Sequence, residues 1–192
     1  MYYIGIDEVG RGPLAGPVAV GVLITPKLKH RVFEFWVKGI KDSKKLSPKA
    51  REVWCEKIKE AKKRGELDFI VSFVSSKIID KKGLTYAIKK AISISLKKLL
   101  VDPKKCKVLL DGGLKAPEEF IFQETIIRGD EKEPIIALAS IVAKVTRDKL
   151  MTKYAKKYPP YRFDIHKGYG TKAHYKEISK NPLTSIHRKS FL

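Results

Sequence analysis

Residues 2–24 read YYIGIDEVGRGPLAGPVAVGVLI and contain two apolar segments on either side of a glycine-rich loop. Residues 2–6 have the pattern of a short buried strand, and residues 17–24 are rich in the Val and Ile that favour strands. The turn-like sequence Gly10-Arg11-Gly12-Pro13 separates the two segments. This stretch therefore predicts two core strands joined by a tight loop.

Helical and strand patterns continue through the rest of the chain. We predict helices at residues 48–63, 83–100, 134–158 and 171–179, and further strands at residues 31–37, 67–74, 107–110 and 120–127. Pro159-Pro160 must end the long third helix, because proline cannot continue a helical backbone. Early strands followed by alternating helices and strands indicate an α/β fold with a central mixed sheet flanked by helices.

The chain is strongly basic. Its 192 residues include 41 Lys and Arg against 21 Asp and Glu, which gives a formal net charge of +20. Lys and Arg neutralise phosphates and release condensed counterions, so nucleic acid is the expected partner. A heavily solvated surface remains the alternative explanation of the charge alone.

Other features of the composition concern the cellular location. Cys55 and Cys106 lie far apart and lack metal-ligand spacing, which is typical of a reducing compartment. No apolar run approaches the roughly 20 residues that span a bilayer, and no signal peptide is visible, so we expect a cytoplasmic protein without membrane association. A single Asn and a single Gln among many Lys and Glu indicate a hot environment.

Four carboxylates occupy positions suited to a metal site. Asp7 and Glu8 follow an apolar strand, Asp111 ends another, and Asp148 shares a helix face with Lys144, four residues earlier. Each could separately be a turn residue, a cap or a surface charge. Together they favour a site for Mg²⁺ or Mn²⁺, which prefer such oxygen ligands.

The adjacency of Asp7 and Glu8 poses a geometric difficulty. Neighbouring residues on a regular strand point to opposite faces of the sheet. We therefore expect both side chains to reach one metal only if the chain bends after Asp7, which Gly10 and Gly12 would allow.

Five segments resemble the signatures of the ribonuclease HII family. In chain order they are DEVGRG at 7–12, DSKKLS at 42–47, SIVAKVTRD at 140–148, HKGYGT at 166–171 with His174, and HRKSF at 187–191. The resemblance implies a ribonuclease H-like fold, with a catalytic domain at 1–158 and a short C-terminal helical region at 159–192 that helps to bind substrate. It has departures, including Gly113 where the family often has Asn and Leu138 where a small residue is usual.

The resemblance also implies an activity. A ribonuclease HII is an endonuclease that hydrolyses the RNA strand of RNA/DNA hybrids and cuts 5′ of ribonucleotides embedded in duplex DNA, leaving 3′-hydroxyl and 5′-phosphate ends. By this likeness the catalytic residues and metal ligands are Asp7, Glu8, Asp111 and Asp148, which would hold two Mn²⁺ or Mg²⁺ ions. Two such ions activate water and stabilise the leaving oxygen without a catalytic His.

The substrate-binding residues are carried over from the same motifs. The backbone amides of Gly10, Arg11 and Gly12 would read the 2′-hydroxyl that distinguishes RNA from DNA, and glycine lets a backbone approach a sugar closely. Tyr169 would stack on the sugar beyond the cut. Contacts to phosphates are expected from Lys44, Lys45 and Lys144. We expect a monomer, and no clamp-binding peptide at the C-terminus.

Two alternatives remain at this stage. A ribonuclease HIII-like enzyme typically has G-K-G and an extra N-terminal domain, so Arg11 and the six residues before Asp7 argue against it. A non-catalytic basic nucleic-acid-binding protein fits the charge equally well. It does not explain the carboxylates, because a passive binder gains nothing from acids placed near phosphates.

Overall fold

The computed structural model describes residues 1–26, 40 and 46–192. These residues form a five-stranded sheet in the order β3-β2-β1-β4-β5. The strands are β1 (Tyr2–Val9), β2 (Val18–Pro26), β3 (Asp68–Val74), β4 (Cys106–Asp111) and β5 (Gln123–Ile126). β1 pairs antiparallel with β2 and parallel with β4, which confirms the predicted mixed sheet. The strand predicted at residues 31–37 lies outside the described residues.

The helices of the described residues are α1 (Pro48–Lys63), α2 (Ser76–Lys82), α3 (Leu84–Lys98), α4 (Gly129–Lys132), α5 (Pro134–Lys157), α6 (Phe163–His166) and α7 (Lys172–Lys180). The four predicted helices correspond to α1, α3, α5 and α7. Ser47 caps α1 by accepting a hydrogen bond from Ala50 N, and Thr171 caps α7 by accepting one from His174 N. The other three helices were not predicted, because they are too short to show a helical period. Among the described residues, none of the helices has the length and apolar character needed to cross a membrane.

The sheet is covered by helices on both faces. On one face β1, β2 and β4 pack against α3, and on the other face α1 and α5 cover the sheet. The glycines of β1 and β2 allow α5 to approach closely. A Cβ added to Gly5 would overlap the carbonyl oxygen of Ile135, and one added to Gly21 would overlap that of Ala139. These two glycines therefore set the distance between the strands and the helix.

We expect Gly21→Ala to lower the free energy of unfolding by about 1–3 kcal/mol, the usual cost of overpacking a core. The added Cβ would overlap the helix backbone at Ala139, which cannot move away as a flexible side chain could. Thermal unfolding monitored by circular dichroism would show the loss. Gly113→Ala is the matched control, because a Cβ there meets no described atom within 4 Å. Equal unfolding temperatures for the two variants would contradict the close packing of α5.

The C-terminal residues pack on the rest of the chain. Tyr161, Phe163 and Ile186 form a cluster with Met151 of α5 and with Ala15 of the β1–β2 loop. A single β-bridge also joins Ala15 to His187. The C-terminal region thus supports the loop between β1 and β2, while its division from residues 1–158 as a separate domain stays a prediction.

Candidate active site

A cavity of about 550 Å³ lies at the end of β1 and β4. These two strands are parallel, and Ile6↔Leu110 is their last pair, so Asp7 and Asp111 follow at the same edge of the sheet. The residues that line the cavity come from several predicted motifs; they are Asp7, Glu8, Val9, Gly10, Arg11, Gly12, Arg51, Asp111, Ser140, Ile141, Lys144 and Tyr169. The structure therefore brings three of the four predicted carboxylates to one cavity with the glycine loop.

Burial dominates the electrostatics of the β1 carboxylates. Asp7 is only 4% exposed, and burial raises the pKa of its carboxyl to about 8; a hydrogen bond from Ser140 opposes the shift, while the charges of Glu8 and Asp111 add to it. Burial also raises the pKa of Glu8, against the opposing effect of Arg11. These carboxyl groups therefore resist ionisation unless a positive charge in the cavity stabilises their charged form.

The oxygen atoms of this cluster are only partly satisfied. Glu8 Oε1 accepts a hydrogen bond from Arg11 Nη1 at 2.9 Å, but its buried Oε2 has no hydrogen-bond partner among the described residues. Asp111 Oδ1 accepts from the backbone N–H of Gly129 at 2.6 Å. Mutually repelling carboxylates and a buried oxygen without a partner fit a divalent cation. Within the described chain, however, no three acidic, His or Cys side chains converge closely enough to hold one ion together.

The expected bend after Asp7 does not interrupt β1. The strand continues in register with β2 as far as Val9↔Ala19, and both Asp7 and Glu8 nevertheless line the cavity. In the described part of the chain, pairing with β4 stops at Ile6, so the two acids lie beyond the last pair of these strands. Both acids thus reach the cavity without a break in the pairing of β1 with β2.

Asp148, unlike the other three carboxylates, does not line the main cavity. It accepts a hydrogen bond from Lys144 Nζ at 2.9 Å and lines a separate depression of about 410 Å³. The two residues are one helical turn apart, so the ammonium group neutralises the carboxylate along its own helix. Lys144 and Arg51 connect the main cavity with this depression. Lys144 bonds to Asp148 and lines the main cavity, and Arg51 lines both the cavity and the depression. The membership of Asp148 in a metal site stays a prediction.

Two further cavity residues, Ser140 and Arg51, were not predicted to be functional. Ser140 hydrogen-bonds Asp7, and Arg51 of α1 also lines the cavity. The signal for Ser140 was a small polar residue inside an otherwise apolar stretch of α5. Arg51 carried no signal, because it is one basic residue among many.

The predicted substrate-binding residues are placed consistently where the structure describes them. Gly10, Arg11, Gly12, Lys144 and Tyr169 all line the cavity. Tyr169 is 40% exposed, and Lys144 Nζ lies 5.8 Å from the centroid of its ring. The predicted phosphate contacts Lys44 and Lys45 lie outside the described residues.

A chain of buried histidines supports the Tyr169 backbone. Thr184 N donates to Nδ1 of His187, so a neutral His187 carries its proton on Nε2 and can donate it to His174 Nε2, 3.2 Å away. His174 Nδ1 then donates to the carbonyl oxygen of Tyr169 at 2.9 Å. Each ring needs the neutral form for this pattern. Accordingly, burial lowers the pKa of both, and that of His187 falls to about 4.

The contribution of His187 to stability should therefore be lost in mild acid, whereas the raised pKa of Asp7 changes stability in the opposite direction below about pH 8. Unfolded His187 takes up its proton below pH 6.5, whereas the folded protein takes it up only near pH 4, so the His187 contribution is constant above this range and falls within it. At about 1.4 kcal/mol per pKa unit, the loss reaches about 3 kcal/mol. Urea unfolding of the wild type and of His187→Gln between pH 7 and pH 4 measures it. If both proteins lost the same stability on acidification, the histidine chain would not be the cause.

Comparison with known proteins agrees with the geometry. The model of the family Ribonuclease HII matches residues 4–192. The chain is 46% identical over 187 residues to the ribonuclease HII of Endomicrobium trichonymphae, covering 97% of this chain and 83% of the relative. The crystal structure of ribonuclease H2 from Pyrococcus horikoshii OT3 aligns with a TM-score of 0.75 and 26% identity, over 99% of this chain and 93% of that one.

A more distant structure bears on the rival family. Bst ribonuclease HIII, crystallised in complex with Mn²⁺, aligns with a TM-score of 0.69 over 94% of this chain and 70% of its own, but is only 17% identical. That likeness shows a shared fold, whereas the identity to ribonuclease HII is far higher. The predicted ribonuclease H-like fold is confirmed, and the chain belongs to the ribonuclease HII family of ribonuclease H-type endonucleases.

Proposed function

We propose that this chain hydrolyses the RNA strand of RNA/DNA hybrids and cuts on the 5′ side of ribonucleotides embedded in duplex DNA, leaving 3′-hydroxyl and 5′-phosphate ends. One observation carries the proposal: the buried carboxylate of Asp7 lines the same cavity as Glu8, Asp111 and the loop Gly10-Arg11-Gly12. The carboxyl groups that could hold a metal ion and the loop that could approach a ribose therefore line the same cavity. Selective cleavage next to a ribonucleotide requires such an arrangement.

The carboxylates would hold divalent cations, Mn²⁺ or Mg²⁺. Asp7, Glu8 and Asp111 line the main cavity and would be ligands. Asp148 would join them by exchanging its hydrogen bond with Lys144 for a bond to a cation. Two bound ions supply the activation of water and the stabilisation of the leaving 3′-oxygen. The Mn²⁺ in the ribonuclease HIII crystal is a cation of this oxygen-seeking kind.

The protein's own residues bind and orient the duplex. The net charge of +20 attracts the phosphate backbone irrespective of sequence. Lys144 and Arg51 line the cavity and can contact phosphates beside the scissile bond, while the exposed Tyr169 ring can pack on a sugar. The loop amides can then discriminate ribose from deoxyribose through the 2′-hydroxyl.

Mapping the cut in a DNA duplex with one embedded ribonucleotide tests the proposal. We expect incision on the 5′ side of that ribonucleotide with Mn²⁺ and no incision with a chelator. An otherwise identical all-DNA duplex is the control, and a full RNA/DNA hybrid tests the second substrate. Retardation of the duplex without cutting under both conditions would instead identify a non-catalytic binder.

A further inference from the structure

Two arginines among the described residues are completely buried. Arg147 of α5 and Arg188, which precedes the last turn of 3₁₀ helix, both have 0% exposure. Burial, and then the neighbouring charge of Arg147, lower the pKa of Arg188 to about 9, so it stays protonated at neutral pH. Burying a guanidinium group is costly unless its donors are satisfied. The groups that accept hydrogen bonds from the two guanidinium groups therefore indicate what the burial of these arginines stabilises.

Within the described residues, the hydrogen bonds that the Arg188 side chain donates all end on backbone carbonyls of the β1–β2 loop. Nη2 donates to the carbonyl oxygen of Gly10 at 2.7 Å, and Nη1 donates to that of Arg11 at 2.8 Å. Nε donates to the carbonyl oxygen of Gly16 at 2.9 Å. One side chain from the far end of the sequence thus holds both the start and the end of the loop.

Arg147 also holds the end of the same loop. Its Nε donates to the carbonyl oxygen of Pro17 at 2.9 Å, and its Nη2 donates to that of Ala15 at 3.2 Å. Nη1 donates to the carbonyl oxygen of Lys167 at 3.0 Å, two residues before Tyr169. The planar guanidinium fork permits three such contacts at once, which a lysine ammonium cannot reproduce in the same geometry.

The bonds of Arg188 fix the direction of the loop amides. In a planar trans peptide the C=O and the N–H of one unit point in opposite directions. Because the carbonyls of Gly10 and Arg11 point to Arg188, the N–H groups of Arg11 and Gly12 point away from it. Both residues line the cavity, and in the described parts of the chain neither amide donates to another group. The two free donors are therefore presented to the cavity.

We propose that Arg188 is a positioning residue for ribose recognition: by holding the carbonyls of Gly10 and Arg11, it aims the next two amides at the 2′-hydroxyl of the substrate. The inference rests on the proposed function, which assigns ribose recognition to this loop. Asp80 of α2 secures the segment that carries Arg188, because its carboxylate accepts hydrogen bonds from Lys189 N, Ser190 N and Ser190 Oγ.

The test compares binding to two DNA duplexes that differ by a single 2′-hydroxyl. Fluorescence anisotropy with chelator present gives both affinities without cleavage, and their ratio measures discrimination. Arg188→Lys keeps the charge but loses the fork. We expect the ratio of the two affinities to fall towards one in this variant, while its affinity for the all-DNA duplex is unchanged. Its cleavage rate should fall by about 10²-fold, which is the usual cost of a small misplacement of a reacting group. Arg64→Lys, at a surface pair with Glu66, is the matched control.

The outcomes distinguish a failure of the proposed function from a failure of the positioning role of Arg188. If the wild type neither discriminates nor cuts, the proposed function itself fails. If the wild type does both and Arg188→Lys matches it in ratio and rate, the positioning role is overturned. Should Arg188→Lys fail to fold, Ser190→Ala removes one bond to Asp80 and loosens the same segment at the surface. A smaller fall in the ratio supports the role, and an unchanged ratio overturns it.

Discussion

Asp7→Asn is expected to abolish cleavage while leaving binding of the duplex intact. The substitution removes a carboxyl group that could ionise to bind a cation in the proposed metal site, but keeps the size and shape of the buried side chain. Loss of one charge-stabilising group costs roughly 10²–10³-fold in rate, and the loss of a metal ligand should be at least as large. The basic surface that binds phosphates is unchanged, so affinity should be retained.

Folding should not obscure this result. Burial already raises the pKa of Asp7 to about 8, so a neutral side chain is well tolerated at this position. We expect Mn²⁺ to raise the unfolding temperature of the wild type but not that of the variant, because a ligand stabilises only the state that binds it. Cleavage rates, binding and thermal unfolding with and without Mn²⁺ measure all three effects.

Asp68→Asn provides the matched control. Asp68 Oδ1 accepts a hydrogen bond from the next residue's N–H, Phe69, at 2.6 Å, as Asp7 Oδ1 does from Glu8 at 2.7 Å. The two aspartates thus share a local interaction, but Asp68 lies on β3, outside the main cavity. Normal cleavage by Asp7→Asn would mean that the carboxylates of this cavity are not the metal ligands.

The sequence predicted the elements that have a clear period or a clear cap. The apolar face of α3 and the Ser47-Pro48 start of α1 were placed correctly. The strand predicted at residues 120–127 is shorter, because Phe120 forms a turn with Pro117 and is buried in the core without joining the sheet. Burial without strand pairing gives the same apolar pattern, so periodicity could not separate the two.

Part of the candidate site could be predicted from the positions of the strand ends. Asp7 and Asp111 end strands, and strands that are parallel neighbours bring their ends together. The i,i+4 spacing correctly placed Lys144 beside Asp148, yet could not show that Lys144 would line the main cavity and Asp148 the neighbouring depression. Arg188 contacts Gly10 across 178 positions of the chain, and no local pattern encodes a contact of that separation.

The glycines of the loop should differ sharply in what their substitution does. Gly12→Ala is expected to preserve the fold, because its Cβ would meet no described atom within 4 Å and its backbone is not left-handed. Gly10 has φ +93, and a Cβ there would overlap Arg147 Nε. Gly10→Ala should therefore lower the unfolding temperature, whereas Gly12→Ala should leave it unchanged.

Activity should nevertheless fall in Gly12→Ala by about 10²-fold, because under the proposed function a ribose would approach the backbone closely in the open space beside Gly12. Arg11→Ala should cost much less. The Arg11 side chain is 57% exposed and contributes a surface pair to Glu8, while its backbone amide is retained. Cleavage rates on a duplex with one ribonucleotide, measured beside unfolding temperatures, distinguish the cases. Equal losses in Gly12→Ala and Arg11→Ala would show that the loop acts through its side chains, since only the first substitution places an atom between the backbone and the sugar.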